Sequence, residues 1–264
     1  MASDVVFLSV EEEPVDHRLY HLICFPKPSE GELRRRLQQL LSLGITKILL
    51  DGAQRIDGLR VLGKGCDSIV VKALLNQNVV ALKIRRVDSH VKTLAQEGEN
   101  QRLANVVGVG ARIYGFTEDF ITMDLIEGLH IDKFVEVADE ESIRRVVVDL
   151  LKQCRRLDLI GLDHGELSRA RKHIIITSSL KPVILDFSSS SRNRRPANVS
   201  SLFSFLFLSK SGLSALLRKK LGTSFSYSEV VEALREYKKD LSDSAFAKIL
   251  GFVASREIEI NNLL

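Results

Sequence analysis

The chain has 264 residues, of which 45% are hydrophobic and 27% are charged, and its formal net charge is +4. This composition is typical of a folded globular protein, and the length suits one large domain or two lobes. The longest apolar run, Leu202 to Leu208, is far shorter than the roughly 20 residues that a membrane-spanning helix needs. Residues 1–14 are acidic and lack the basic start of a secretory signal, so we expect a protein without membrane contact.

The three cysteines, Cys24, Cys66 and Cys154, are far apart in the chain and include no CxxC pair. Such spacing argues against a disulfide framework or a zinc site. We therefore expect free thiols and a location in the reducing cytoplasm.

The first half of the chain predicts one early helix followed mainly by strands. Ser29 is a good N-cap for a helix from Glu30 to Leu43, and Gly44 is suited to end it. The segments with strand composition are Ile45–Leu50, Leu59–Leu62, Ser68–Leu74, Val79–Ile84, Ile113–Phe116 and Phe120–Ile126. A second helix is predicted from Asp88 to Ala104, and the strands together indicate an antiparallel sheet.

The second half, after Gly128, predicts mainly helices. Asp139 is placed to cap a strongly amphipathic helix that ends at Leu157. Two short strands, His173–Thr177 and Val183–Leu185, are followed by predicted helices over Asn198–Leu208, Gly212–Leu221, Ser228–Lys239 and Ser242–Ala254. The pattern is α+β, and we divide it into an N-terminal extension with a helix and a strand (1–54), a first lobe (55–128) and a second lobe (129–264).

A glycine-containing turn between two strands is the first candidate for chemistry. Gly63 and Gly65 flank Lys64, and Ser68 begins the next strand. Glycines let backbone amides approach an anion because no side chain intervenes. On these residues alone, an ordinary tight hairpin turn is the favoured interpretation.

Lys83 ends the next strand, Val80-Ala81-Leu82-Lys83. A lysine that ends a buried strand is costly unless its ammonium meets an anion. This segment alone supports a solvated lysine at the strand end at least as well. Glu97 or Glu99 in the following helix could be its partner, and the spacing does not decide between them. Both glutamates could also be solvated surface groups.

Two acidic residues lie close to a predicted β-hairpin in the second half. Glu166 precedes the first strand in Asp163-His164-Gly165-Glu166, and Asp186 follows the second in Asp186-Phe187-Ser188. The hairpin would bring the two carboxylates near one another. One could orient a hydroxyl or water while the other holds Mg²⁺.

Six features follow one another between about Leu59 and Phe187: the glycine turn, the lysine, the helix glutamate, the Gly-bounded strand, the His-Gly-Glu loop and Asp-Phe. This ordered series resembles the protein-kinase signature set. His164-Gly165-Glu166 is most similar to the catalytic loop of RIO kinases, the small kinase of the KEOPS tRNA-modification complex and related archaeal predicted serine/threonine protein kinases. The resemblance implies a bilobal protein-kinase-like fold. Its N-lobe would be an antiparallel β-sheet with one helix, and its minimal, mainly helical C-lobe would lack a long activation segment.

The resemblance also implies roles for single residues. ATP would be bound by Gly63, Lys64, Gly65, Ser68, Ala81, Lys83, Glu97, Met123, Asp124 and Ile126, with Met123 as gatekeeper. Catalysis would depend on Lys83, on Glu166 in place of the usual aspartate, and on Asp186. Asp186 would hold the metal ion, Mg²⁺ or Mn²⁺. The asparagine that supplies the second metal ligand in the kinase pattern is missing here, and His173 is the residue nearest to its position. Asp163 is a fallback candidate for the base, although capping or orienting the loop is the favoured role for it.

The function implied is that of an ATP-dependent atypical serine/threonine protein kinase acting on a protein substrate or on itself. Three departures from the kinase pattern keep two alternatives open. Glu166 is longer than the usual aspartate, the asparagine that would bind the second metal ion is missing, and no glycine follows Phe187. One is a RIO- or KEOPS-like ATPase switch, and the other is a nucleotide-binding pseudokinase scaffold in RNA or ribosome assembly. A small-molecule phosphotransferase is less favoured because the C-terminal half is short.

Basic clusters recur along the chain, at Arg34–Arg36, Arg85–Arg86, Arg155–Arg156, Arg169–Lys172, Arg192–Arg195 and Arg218–Lys220. Each could be a solvated face. The clusters after Glu166 and after Asp186 could instead contact RNA, a ribonucleoprotein or an acidic protein.

Overall fold

The computed structural model describes residues 5–253, which fall into two compact units. Unit 1 comprises the chain up to Arg102 together with Ala111–Leu125, and unit 2 comprises Leu103–Gly110 together with the chain from Ile126 onward. The predicted helix end at Ala254 lies outside the described residues.

Unit 1 is built around an antiparallel sheet. Its elements in chain order are β1 (Val6–Ser9), α1 (His17–Ile23), α2 (Glu30–Ser42), β2 (Ile45–Leu50), β3 (Gln54–Ile56), β4 (Leu59–Val61), β5 (Gly63–Lys64), β6 (Ser68–Leu75), β7 (Asn78–Arg85), α3 (Ala95–Val106, counted with unit 2 from Leu103), β8 (Ile113–Phe116) and β9 (Phe120–Asp124). The strand order is β1-β2-β6-β7-β9-β8, with β5 paired to the start of β6, and every pairing is antiparallel. β3 and β4 form a separate hairpin.

The segment before Arg55 is part of this sheet. β2 pairs with β6, and its far side pairs with β1. Side chains of α1, α2 and one face of the sheet form a common apolar core, to which Leu22, Leu40, Ile48 and Leu82 belong. Ser29 caps α2 as predicted by accepting a hydrogen bond from the Glu32 amide.

The predicted start of α3 at Asp88 is wrong, because the helix begins at Ala95. Polar side chains in the intervening stretch make other contacts: Asp88 pairs with Arg86, and Ser89 donates to Asp67. Thr93 then accepts a hydrogen bond from the Ala95 amide at 3.1 Å, which satisfies one of the first free N–H groups of the helix. The sequence pattern also missed β1 and α1.

A buried carboxylate in the turn between β8 and β9 holds unit 1 together. Asp119 is fully buried and lies 2.6 Å from Arg35, 2.9 Å from Arg36 and 2.6 Å from Arg85. The Gln39 side chain donates a further hydrogen bond to it. Burial by itself raises the pKa of Asp119, but the neighbouring arginines and Gln39 outweigh it and lower the pKa. The network therefore joins α2, the end of β7 and the β8–β9 turn.

Unit 2 is mainly helical. Its elements are β10 (Leu129–His130), α4 (Ile131–Val137), α5 (Glu140–Leu159), a 3₁₀ turn (Leu167–Lys172), β11 (Ile174–Ile176), β12 (Pro182–Ile184), α6 (Asn198–Phe203) with a π-helical continuation (Ser204–Leu208), α7 (Gly212–Lys220), α8 (Tyr227–Asp240) and α9 (Asp243–Gly251). The three strands form a small antiparallel sheet in the order β10-β11-β12. The pairing of β11 with β12 confirms the predicted hairpin.

Helix α5 is central to the core of unit 2. Asp139 accepts a hydrogen bond from the Ser142 amide at 2.8 Å, which confirms the predicted cap. Its apolar face, including Ile143, Leu150 and Leu157, packs with α6 to α9 in one core cluster. The described chain is thus α+β, with an antiparallel sheet and a helical part.

Within residues 5–253 no single helix is long and apolar enough to span a membrane. The helical segments 198–208 and 212–220 are long and apolar enough only when they are taken together, and the chain bends by 84° between them.

Replacing Asp119 with alanine is expected to destabilise unit 1, because it leaves three arginines near a buried site without their carboxylate. Removing one partner from a buried charge network typically costs about 3–5 kcal/mol. The free energy of unfolding in urea measures this cost. The matched control is Glu118→Gln, whose exposed side chain also pairs with Arg35 and should change stability by less than about 1 kcal/mol. An equal loss in both variants would contradict the prediction.

Candidate functional site

The glycine turn begins within β5 of unit 1, which consists of Gly63 and Lys64. Gly63 is paired with Val70, and the Gly65 amide donates to the Ser68 carbonyl at 2.8 Å. Neither glycine has a left-handed φ, and a Cβ added at Gly63 would come no closer than 3.9 Å to another heavy atom. At Gly65 the corresponding distance is 3.4 Å, which is ordinary contact. Unit 1's own packing therefore does not require glycine at either position.

The other residues of the turn have partners of their own. The Lys64 amide donates to Gln54 Oε1 at 2.9 Å, and its ammonium lies 5.3 Å from the centre of the Phe25 ring. Cys66 is exposed, whereas Cys24 and Cys154 are buried, and none of the three forms a disulfide. Burial raises the pKa of both buried thiols.

Lys83 and Glu97 form a buried ion pair in unit 1. Lys83 Nζ lies 2.6 Å from Glu97 Oε1, and the two residues are 6% and 7% exposed. Glu99 is exposed and lies 3.7 Å from Arg102 instead. Glu97, rather than Glu99, is therefore the glutamate that pairs with Lys83.

The sheet register places the glycine turn and Lys83 on one face. Val70 of β6 lies opposite both Gly63 of β5 and Lys83 of β7. Directly opposed residues of antiparallel strands face the same way, and two strand spacings amount to about 10 Å. Ala81, two residues before Lys83, is opposite Met123 of β9 and shares this face. The apolar core with α1 and α2 lies on the other face of β7.

The position of Glu97 is set by the β8–β9 turn. The Leu94 amide, just before α3, donates to the Glu118 carbonyl at 2.7 Å. Gly98 allows α3 to pack on the Phe116 ring, since an added Cβ would overlap that ring. The turn that carries Asp119 thus also fixes the first turn of α3.

The predicted adenine-binding strand ends earlier than expected. β9 stops at Asp124, so Ile126 lies beyond the strand and is counted with unit 2. The Asp124 carboxylate accepts hydrogen bonds from the Tyr114 hydroxyl at 2.6 Å and the Arg112 amide at 3.3 Å. The Met123 sulfur lies 3.5 Å from Gln101 Nε2.

In unit 2, His164 organises the His-Gly-Glu loop. It is fully buried, its Nε2 lies 3.1 Å from the Leu185 carbonyl, and its Nδ1 accepts from the Glu166 amide at 3.4 Å. This pairing corresponds to the neutral ring with the proton on Nε2. Burial is the main cause that lowers the pKa of His164 to about 4. One neutral imidazole therefore links Glu166 to the residue before Asp186.

Glu166 and Asp163 have different surroundings. Ser189 Oγ donates to Glu166 Oε1 at 3.2 Å, and Arg169 lies 3.8 Å from the other carboxylate oxygen. Asp163 pairs with Arg194 and accepts from the Ala197 amide at 3.1 Å. Asp163 is thus occupied in holding the loop, and Glu166 is the better placed of the two to receive a proton from a hydroxyl.

Asp186 has an unusual backbone conformation. Its φ is +68°, in the left-handed region that residues other than glycine seldom adopt. Its carboxylate is partly exposed, and Oδ2 lies 3.7 Å from His173 Nδ1. Among the described residues no group of three or more His, Cys, Asp or Glu side chains is arranged to hold a metal ion. Asp186 and His173 supply two candidate ligands.

Two residues that the sequence pattern missed support the loop. Asn198 accepts from the His164 amide and donates to the Leu162 carbonyl, both at 2.8 Å. Asp158 in turn accepts from the Asn198 backbone and side chain, also at 2.8 Å, and from the Tyr237 hydroxyl. Burial raises the pKa of Asp158. Only the asparagine at a predicted helix start could have signalled this role.

Several basic clusters are committed to internal contacts. Arg35, Arg36 and Arg85 belong to the Asp119 network, and Arg155 pairs with Asp243. Arg195 donates to carbonyls of α8. These arginines therefore contribute less to a surface for nucleic acid than the sequence clusters indicated.

No family model matches the chain. A curated relative, the uncharacterized protein MJ1211 of Methanocaldococcus jannaschii, is 27% identical over 118 residues, which cover 44% of this chain and 99% of that protein. Its name assigns no activity, so the similarity gives no role to the residues above.

The low pKa of His164 predicts a pH-dependent loss of stability. Because the folded state disfavours the charged ring, stability contributed by the neutral ring is present above pH 6.5 and is lost as the pH falls toward about 4. The lowering of the His164 pKa from 6.5 to about 4 corresponds to about 3 kcal/mol in the free energy of unfolding. His164→Gln should flatten the pH dependence of the free energy of unfolding in that interval. His90→Gln, at an exposed position, should retain the wild-type slope; identical profiles for the two variants would contradict the assignment.

Proposed function

We propose that the protein is an ATP-dependent atypical serine/threonine protein kinase of bilobal fold, with unit 1 as its N-lobe and unit 2 as its minimal C-lobe. The observation that carries the proposal is the buried Lys83–Glu97 pair, on the same sheet face as the glycine turn. The proposed partners are ATP with Mg²⁺ or Mn²⁺, and a protein substrate or the chain itself.

The ion pair is difficult to explain by stability alone. Burying two charges costs several kcal/mol per ion, and apolar replacements of such pairs are often as stable or more so. A glutamate that holds a lysine extended beside a glycine turn gives the ammonium a fixed position. Such a position suits phosphate oxygens, which attract both the ammonium and backbone amides.

The glycines fit a phosphate-containing ligand. Neither Gly63 nor Gly65 is required by φ or by neighbouring atoms, so the missing side chains leave room for a ligand to approach the turn, although the Gly65 amide itself already donates to the Ser68 carbonyl. Ala81 is small and lies on the same face, opposite Met123. A nucleotide with its flat base beside Ala81 and a phosphate beside Gly63 would match the positions of these residues on the sheet face.

Unit 2 supplies groups suited to phosphoryl transfer. The strained φ of Asp186 supports a functional reason for its carboxylate position, since such conformations concentrate at active sites. Asp186, with His173 beside it, would hold the metal ion, and Glu166 would orient the acceptor hydroxyl and take its proton. Bound ATP and its metal would supply the phosphoryl group and neutralise its charge.

A nucleotide-binding experiment tests the proposal first. ATP with Mg²⁺ should raise the midpoint of thermal unfolding, because a ligand at 100 times its Kd stabilises the folded state by about 2.7 kcal/mol. Incubation with γ-labelled ATP should then label the protein or an added substrate, and Lys83→Ala and Asp186→Ala should each reduce labelling at least about 100-fold. Glu97→Gln should also lose activity, whereas its exposed neighbour Glu99→Gln should retain it.

The outcomes separate the alternatives. Free labelled phosphate without labelled protein would support an ATPase switch instead. Thermal stabilisation by nucleotide without turnover would support a pseudokinase scaffold. Absence of any nucleotide effect on unfolding would refute all three.

Gly63→Ala tests the glycine turn independently of catalysis. The added methyl group has room within unit 1, so stability should change by less than about 0.5 kcal/mol. Loss of one backbone hydrogen bond to a charged phosphate oxygen costs about 1.5–3 kcal/mol, or roughly 10- to 100-fold in Kd for ATP. Titration calorimetry measures this change. Gly31→Ala on α2, where an added Cβ meets no atom within 4 Å, is the control and should bind ATP normally.

A further inference from the structure

Four consecutive serines follow Asp186-Phe187, and their hydroxyls have different contacts. Ser190 Oγ donates to the Phe187 carbonyl, and Ser191 Oγ accepts from the Asn193 amide at 3.1 Å. Ser189 Oγ donates to the Glu166 carboxylate, at 3.2 Å. This is the relation expected between an acceptor hydroxyl and its general base.

Contacts with Asp163 and Arg194 hold the chain around Ser189 in that position. Asp163 and Ser191 exchange two backbone hydrogen bonds, of 3.0 and 2.8 Å. Arg194 bridges the Asp163 carboxylate and the Ser189 carbonyl. The serine segment is therefore fixed against the loop that carries Glu166.

Gly165 makes this close approach possible. Its φ is +88°, and an added Cβ would lie 2.6 Å from the Ser189 carbonyl oxygen and would overlap the Arg194 guanidinium. Every residue other than glycine would push the serine segment away from Glu166. The backbone conformation at Gly165 thus determines the contact between Ser189 and Glu166.

We propose that Ser189 is the site at which the protein phosphorylates itself, with Glu166 as the base for the reaction. This inference rests on the kinase function proposed above. In the transfer, Ser189 Oγ bonds to the γ-phosphorus of ATP, and the bond from that phosphorus to the β,γ-bridging oxygen breaks. The hydroxyl proton passes to Glu166, and ADP is the leaving group. Because Ser189 and Glu166 belong to one chain, the reaction is intramolecular.

The product has a structural consequence. A phosphoserine carries a charge of about −1.5 to −2 and no hydroxyl proton to donate. It is repelled by Glu166 and attracted by the neighbouring cations Arg169 and Arg194. Modification therefore ends the contact with Glu166 and leaves this carboxylate accessible to the hydroxyl of another substrate.

The decisive experiment maps the phosphate. The full chain is incubated with ATP and Mg²⁺, and the modified residue is located by mass spectrometry. Phosphate should map to Ser189, Ser189→Ala should lose at least about 90% of the incorporation, and Ser188→Ala should match the wild type. The rate per molecule should not change over a tenfold range of protein concentration. Phosphate on another residue, or an undiminished Ser189→Ala variant, would overturn the assignment.

The same samples distinguish failure of this inference from failure of the proposed function. Nucleotide-dependent thermal stabilisation with hydrolysis or substrate labelling, but without phosphoserine at 189, would overturn only the autophosphorylation site. Absence of nucleotide binding would overturn both.

Hydrogen exchange of nucleotide-free protein tests how Ser189 is held. The Ser191 amide donates to the Asp163 carbonyl, so it should exchange slowly. Arg194→Ala should accelerate this exchange and slow the labelling of Ser189. Arg192→Ala removes an exposed arginine from the same segment and should change neither. Unchanged exchange and labelling in Arg194→Ala would overturn the role of the bridge.

Discussion

The buried Asp119 carboxylate is the constraint on which unit 1 depends. Three arginines from α2 and β7 converge on it, so this helix and this strand cannot move independently. The same turn fixes the start of α3 through the Glu118 carbonyl. Lys83 is two residues from Arg85 on β7, and Glu97 lies in the first turn of α3. The 2.6 Å approach of these two side chains therefore depends on a network that contains neither of them.

Unit 2 uses a second buried carboxylate in a comparable way. Asp158 holds the start of α6, and the Asn198 side chain extends this support to the backbone at Leu162 and His164. His164 then contacts the Glu166 amide and the Leu185 carbonyl. The loops that carry the candidate catalytic acids thus rest on buried groups of α5 and α6, and their geometry is fixed by the helical core.

Local signals predicted the parts of the fold that local chemistry determines. The Ser29 cap, the Asp139 cap and the β11–β12 hairpin were all predicted from neighbouring residues. The start of α3 was not, because side-chain contacts of residues 86–93 compete with helix formation there. Sequence spacing also left Glu97 and Glu99 equivalent, and only packing buries one of them against Lys83. The contact of Ser189 with Glu166 joins segments 23 positions apart, which no local pattern encodes.

Because one of the three cysteines is exposed and the other two are buried, the protein offers a natural position for a covalent fluorescent label. Cys24 and Cys154 are buried with raised pKa values, which keeps them protonated and shielded from alkylating reagents. Cys66 is exposed and directly follows Gly65 in the glycine turn. A maleimide dye would therefore attach at one position without any engineered cysteine. Its fluorescence would follow the environment of the turn in real time.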